Sequence, residues 1–266
     1  MRTGDPSFRD LLDVALDAAQ RGGAIALKHF ESGVTVETKK DGTPVSVADR
    51  ESEREMRRVI AKAFPSHAIL GEEDGETAGS GEAKYRWILD PIDGTKSFVH
   101  GVPLWGVLVG VEVRGDPSVG VIHLPALGET VSAARGEGCT RNGWPCHVST
   151  TPRIEEAMML TTSPRQMRRV RPGYASLAER VKTERGWSDC YGYALVASGR
   201  ADIAVDDKLS PWDLAAIVPC IEEAGGRITD WRAERTIHSG NVLITNGLLH
   251  DEVLAALAAP GPAGAR

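Results

Sequence analysis

Apolar and polar positions follow two periods along this chain. Phe8, Leu11, Leu12, Ala15, Ala19 and Ala26 recur at steps of three and four, which predicts an amphipathic helix over residues 7–30. Ser7 with Asp10 is its N-terminal signal. VETKKDGTPVSVAD (36–49) reads as a hairpin-like loop, with Asp41-Gly42 and Thr43-Pro44 as turn chemistry. Met56, Val59, Ile60 and Ala63 predict a second helix from Ala48 to Ala63, stopped by Pro65. Shorter apolar runs follow: AILGEED (68–74), YRWILD (85–90), LWGVLVGVEV (104–113), SVGVIHLP (118–125) and ETVSAAR (129–135). Gly/Pro turns join the last three, so an antiparallel meander is expected. EDGETAGSGEAK, before YRWILD, reads as a loop.

The second half alternates differently. AMMLTTS (157–163) and ADIAVD (201–206) read as strands, YASLAERV (174–181) and GYALVASG (192–199) as helices. PWDLAAIVPCIEEAGG (211–226) reads as one helix, with Pro at its start and Gly past its end. GRITD (226–230) and NVLIT (241–245) read as strands, LLHDEVLAALA (248–258) as a closing helix, and APGPAGAR (259–266) as a small flexible tail. No repeat at a fixed period is visible. The shift near residue 150 suggests two packed lobes, 1–150 and 151–266, of α/β (α+β) class, built from layers of helices and sheets.

Composition narrows the function classes. The chain has 266 residues, 41% hydrophobic and 26% charged, with a net charge of −6. That charge argues against general nucleic-acid binding, which needs a basic face. RQMRRVR (165–171) is a local basic patch, read as a solvated helix or loop face. The cysteines (139, 146, 190 and 220) form no C-x-x-C pair and read as reduced thiols of a cytosolic protein. The first twenty residues carry four acids and no long apolar core, unlike a signal peptide. GVPLWGVLVGV (101–111) is too short to span a bilayer. A cytoplasmic protein without membrane or nucleic-acid partners is expected.

The candidate chemistry lies in acids at element ends, the usual place for sites in α/β folds. Glu72 and Glu73 end one strand, Asp90 ends another with Asp93 one turn later, and Asp49 and Asp213 begin helices. A bare D-x-x-D pair is commonly two surface acids on a helix. LDPIDGT differs because each residue has a separate job. Two carboxylates this close repel unless a cation lies between them. Oxygen-only donors favour a hard ion such as Mg²⁺. Pro91 ends the strand and frees local carbonyls, including that of Ile92, to act as ligands. Gly94 lets the backbone approach an anion, and Thr95 is placed to cap a short helix from Lys96, whose N-terminus suits phosphate. PWD alone is what any helix start shows, and GEED alone is what a solvated loop shows.

Taken together, DGTPVSVAD (41–49), GEED (71–74), LDPIDGTKSF (89–98) and WDLAAIVPCIEEAGG (212–226) resemble the inositol monophosphatase superfamily of Mg²⁺-dependent, lithium-sensitive phosphatases, over nearly the whole chain. The resemblance implies a layered α-β-α-β-α sandwich of the inositol monophosphatase/fructose-bisphosphatase type, usually a homodimer. It implies two or three Mg²⁺ per site, with Mn²⁺ as an alternative. Glu72, Asp90, Asp93 and Asp213 match the metal carboxylates and Ile92 the carbonyl ligand. Gly94 and Thr95 match the phosphate-facing amides. Asp49 would hold the Thr95 hydroxyl, which orients the attacking water with help from Glu72. Lys39 matches the basic residue near the outer metal, with Lys40 the neighbouring alternative. Ser97 stands where Asn is more usual. The implied reaction is in-line attack of activated water on a phosphate monoester, with no phosphorylated side chain.

The second half resembles the histidinol-phosphatase branch more than the inositol branch, in DCYGY (189–193) and DDKLSPWD (206–213). Histidinol phosphate carries an ammonium and an imidazole, so a pocket for it should present carboxylates beyond the metal set. Asp189 and Asp206 are the candidates, with Trp187 or Trp105 as stacking partners. For Asp189 a helix N-cap is the alternative, and for the tryptophans core or interface packing. The alternative substrates are those of an inositol-1-monophosphatase or a broad-specificity phosphatase. A different class also stands: a metal-binding regulatory module that associates with other macromolecules.

Overall fold

The two periods condense into alternating layers. The structure, a computed structural model, describes residues 5–32, 36–38, 44–80, 84–187 and 189–260. Helix α1 (Phe8–Ser32) starts where Ser7 and Asp10 cap each other. The Asp10 amide donates to Ser7 Oγ at 3.1 Å and the Ser7 amide to Asp10 Oδ2 at 3.0 Å, satisfying amides that the first turn leaves over. Strands β1 (Val36–Thr38) and β2 (Pro44–Ser46) pair antiparallel, and α2 (Val47–Ala63) follows directly. Next come β3 (Ala68–Gly71), β4 (Gly75–Thr77), β5 (Tyr85–Asp93) and the short helix α3 (Thr95–Val99). The expected meander is β6 (Gly106–Val113), β7 (Asp116–Leu124) and β8 (Glu129–Ala134), extended by β9 (Gly138–Arg141) and β10 (Trp144–Pro145). Strands β3 to β10 form one sheet in the order β10-β9-β8-β7-β6-β5-β3-β4, antiparallel except for β3 against β5.

The rest of the chain runs through β11 (Met158–Leu160), α4 (Pro164–Val170), α5 (Gly173–Arg180), β12 (Thr183–Arg185), α6 (Asp189–Ala197) and β13 (Ile203–Asp207). It continues through α7 (Pro211–Leu214), α8 (Ile217–Glu223), β14 (Arg227–Thr229), β15 (Asn241–Thr245) and α9 (His250–Ala258). Its strands form a second sheet, β12-β11-β13-β15-β14. The basic patch 165–171 lies mostly on α4, and β4, β9, β10 and β12 were not expected from the pattern. These strands are short and carry no apolar run long enough to show a period.

Period-two alternation decides which layer each strand residue meets. Trp87, Leu89, Val107, Val109, Val119 and Val121 pack under α1 and α2 with Leu11, Ala15 and Met56. Ile88, Leu108, Ile122 and Leu124 point the other way, against Tyr193, Leu195, Ile217 and Ile221 of α6 and α8. Leu160, Ala204 and Ile244 of the second sheet join that same cluster from below. Met159, Ile203, Val205 and Leu243 face outward onto Met167, Leu177 and Val253 of α4, α5 and α9. The layers are therefore α-β-α-β-α. Both faces of each sheet are covered, which is why the central strands read as nearly continuous apolar runs.

One expected element is corrected. Residues 211–226 form two helices, not one, with a break at Ala215 and Ala216. Pro219 has no amide to give the Ala215 carbonyl and its ring crowds that oxygen, so the α-helical ladder cannot pass through. The break rests on Gly110 and Gly120, paired across β6 and β7. A Cβ on Gly120 would come within 2.0 Å of the Ala216 carbonyl oxygen. Among the described residues no helix is long and apolar enough to cross a membrane.

Candidate metal centre

The apolar run 87–89 carries β5 into the middle of the first sheet, and the acids lie where it loses register. Asp90 pairs with Leu108 and Asp93 with Gly106, with an irregularity between them. Pro91 occupies the irregularity, where no ladder donor is needed. The Ile92 amide turns back to Asp90 Oδ1 at 3.0 Å. Gly94 then takes φ +85°, and a Cβ there would meet the Leu104 carbonyl oxygen at 2.9 Å, so both conformation and space call for glycine. This corrects one detail: the cap of α3 is Gly94, and Thr95 is the first helical residue. The Thr95 hydroxyl donates to the Ile92 carbonyl at 3.1 Å. That carbonyl, expected as a ligand, keeps a second lone pair.

Asp213 arrives from the other half of the chain. Pro211 starts α7, and Asp213 Oδ2 accepts the Ser210 amide at 2.7 Å, which fixes the carboxylate beside β5. Asp90, Asp93 and Asp213 each offer an oxygen, and these oxygens lie within 4.8 Å of one another. Burial first, then the charges of Glu72, Asp93 and Asp213, push Asp90 well above the usual carboxylate range. Burial, then Asp189 and Asp213, do the same to Asp93. Asp213 is raised to about 6 by burial, against the Ser210 amide. Carboxylates this close repel, and a shared proton would relieve the repulsion. A divalent cation would do the same job with more charge. The all-oxygen donor set fits a hard ion.

Glu72 follows β3, its amide bonded to the Leu89 carbonyl at 3.2 Å, and its charge bears on Asp90. Its placement depends on a residue that the sequence reading missed. Glu53 of α2 is fully buried and accepts the amides of Glu73 (2.8 Å) and Asp74 (3.1 Å), with Arg57 Nε at 2.7 Å. The signal was available: Asp49, Ser52 and Glu53 are polar on the face of α2 that otherwise buries Met56 and Ile60. Asp49 is buried in the first turn of α2, and β2, just before it, adjoins α3. Lys39 and Lys40 lie outside the described residues.

A cavity of about 330 Å³ opens over the acids, lined by Asp93, Lys96, Thr162, Gln166, Asp189 and Asp213 among others. Asp189 stands at the start of α6 with φ +54°, and its Oδ2 lies 3.4 Å from where a Gly94 Cβ would be. The next amide, of Cys190, donates to Asp93 Oδ2 at 2.5 Å. The structure thus brings Asp189 beside the acidic trio and corrects the expectation for Asp206. Asp206 is 2% exposed and does not line the cavity. Its Oδ1 accepts the Thr161 hydroxyl (3.0 Å) and the Thr162 amide (2.6 Å), and its Oδ2 the Tyr193 hydroxyl (3.0 Å). Burial still raises it to about 7. Trp105 is fully buried against Phe98 and Phe30, so it is core, while Trp187 is partly exposed under Arg185.

Known proteins share this arrangement of chain. The model of the inositol monophosphatase family matches residues 8–260. The histidinol-phosphatase of Chlorobaculum parvum is 41% identical, over 92% of this chain and 96% of that protein. That of Mycobacterium tuberculosis is 39% identical, over 93% and 98%. The Nus factor SuhB of Salmonella typhimurium is 30% identical, over 92% and 94%. Among solved structures, the Thermotoga maritima IMPase superposes with a TM-score of 0.84 at 33% identity, covering 93% of this chain and 96% of that one.

Proposed function

The chain belongs to the inositol monophosphatase family and is a phosphoric monoester hydrolase, and on that premise we propose that it hydrolyses histidinol phosphate to histidinol and phosphate with Mg²⁺. The observation that carries the reading is the trio Asp90, Asp93 and Asp213, with oxygens within 4.8 Å of one another, of which Asp93 and Asp213 line a cavity together with a further acid, Asp189. Those three, with Glu72 and the Ile92 carbonyl, are the ligand set. A bound divalent cation supplies the charge that acidifies water and offsets the leaving alkoxide.

The residues of the chain do the rest. The backbone at Gly94 and Thr95 receives the phosphoryl oxygens. Glu72, with Thr95 and Asp49, orients the attacking water and takes its proton. Asp189 meets the ammonium or protonated imidazole of the ester, and Lys39 stands at the outer metal position. We also read the protein as a cytoplasmic homodimer with Mn²⁺ as a substitute ion.

Two relatives carry other readings. Likeness to the Thermotoga maritima IMPase favours an inositol ester, and likeness to SuhB, named a Nus factor, favours a regulatory module. Side-by-side kcat/KM for histidinol phosphate and inositol 1-phosphate in Mg²⁺ separates the esters. We expect at least tenfold preference for histidinol phosphate, and preference for the inositol ester refutes the substrate assignment. Absence of phosphate release from either ester would favour the regulatory reading.

A further inference from the structure

Asp206 has no route to a ligand, yet three hydrogen bonds hold it beside the cavity. Its three donors come from two segments that both lead to Asp189. Thr161 and Thr162 follow β11, and the Thr162 hydroxyl donates to Asp189 Oδ1 at 3.3 Å while accepting the Asp189 amide at 3.4 Å. Tyr193 lies one turn along α6 from Asp189, and its hydroxyl donates to the other oxygen of Asp206. Asp189 itself sits at φ +54°, a conformation that a non-glycine residue keeps only when its surroundings hold it.

We infer that Asp206 is a positioning residue for substrate selection, clamping Thr162 and α6 so that the Asp189 carboxylate faces the cationic end of the ester. The inference rests on the reading of Asp189 given above. None of the hydrogen bonds of Asp206 reaches Asp90, Asp93 or Asp213. Thr162 itself bonds Asp206 and Asp189 and none of the trio, so releasing it changes where Asp189 points and leaves the Cys190 amide on Asp93. Loss of the contact should weaken an ester with a cationic group in KM and leave one without such a group alone.

The test is steady-state kinetics of the full chain in Mg²⁺ with histidinol phosphate and phenyl phosphate, for Asp189→Asn, Asp206→Ala and Thr162→Val. All three are expected to raise KM for histidinol phosphate about tenfold, the scale of one charge-assisted contact. For Asp206→Ala and Thr162→Val, the kcat for it and the kcat/KM for phenyl phosphate should stay within about twofold. Thr162 is exposed, so its variant carries the test if Asp206→Ala does not fold. If Asp189→Asn loses selectivity while Thr162→Val and a folded Asp206→Ala keep it, the clamp is refuted and the Asp189 reading stands. If Asp189→Asn keeps selectivity, that reading fails and the clamp with it. An equal loss on both esters in Asp206→Ala or Thr162→Val marks a merely structural role and also overturns the inference.

Discussion

Glu53 is a fully buried carboxylate whose partners are two loop amides and Arg57, so its work is to shape the turn that carries Glu72. Groups that hold a metal ligand from behind typically change affinity by about 10–100-fold when removed. Glu53→Ala is expected to raise the Mg²⁺ concentration for half-maximal activity by about tenfold, with the same shift in calorimetric binding. An unchanged Mg²⁺ requirement would detach Glu53 from the site. His250 illustrates a residue whose charge state belongs to the fold. Thr229 Oγ1 gives its proton to the Asp230 carbonyl and therefore accepts from His250 Nε2, which leaves Nδ1 of the neutral ring to accept the Thr245 hydroxyl. Both ring nitrogens are then satisfied in the neutral form. Burial accordingly lowers the imidazole from 6.5 to about 4. Between those values the unfolded chain binds a proton that the folded chain refuses, so this contribution is full above pH 6.5 and lost as pH falls toward 4. The urea midpoint of the wild type should fall over that window, and less in His250→Gln. Equal slopes would contradict the assignment.

At the scale of elements, the break between α7 and α8 has two causes, and one was visible in the sequence. Pro219 forbids a continuous ladder, but only the sheet explains why the chain accepts the break at residues 215–216. There the backbone settles onto Gly110 and Gly120, where no side chain stands in the way. Gly120→Ala would place a methyl 2.0 Å from a backbone oxygen. We expect a loss of about 1–3 kcal/mol in chemical denaturation, the usual range for overpacking. Activity should fall too, because Asp213 lies two residues before the seat. A variant with wild-type stability would mean that the helix pair is free to lift. β5 divides the credit otherwise: Pro91, expected to end the strand, only interrupts the pairing, and the strand runs on to Asp93 before Gly94 turns the chain.

At the scale of the molecule, the middle helical layer packs on both sheets, and the candidate centre is where the two halves touch. Asp93 ends a strand of the first sheet and is tied to the Cys190 amide of α6, while Asp213 comes from α7. A cation bound there would hold the halves together, and binding only to the folded state would stabilise it. At a Mg²⁺ concentration a hundredfold above Kd the gain is about 2.7 kcal/mol, or about 5 °C in Tm for a chain of this size. Asp93→Asn keeps an oxygen for the Cys190 amide, so it should fold. It should lose most of the Mg²⁺-dependent rise and at least about 100-fold in activity, beyond what supporting residues cost. A full Mg²⁺ shift in that variant would move the cation elsewhere. The sequence by itself determined the periodicities, hence the layers, and the LDPIDGT turn, because strand ends, helix starts and glycine conformations are set by neighbours in the chain. Only the tertiary structure decided which acids meet. Glu53 against residues 73 and 74, and Asp206 against Thr162 and Tyr193, are pairings between distant segments, and a carboxylate that clamps a loop has the same local signature as one that meets a ligand.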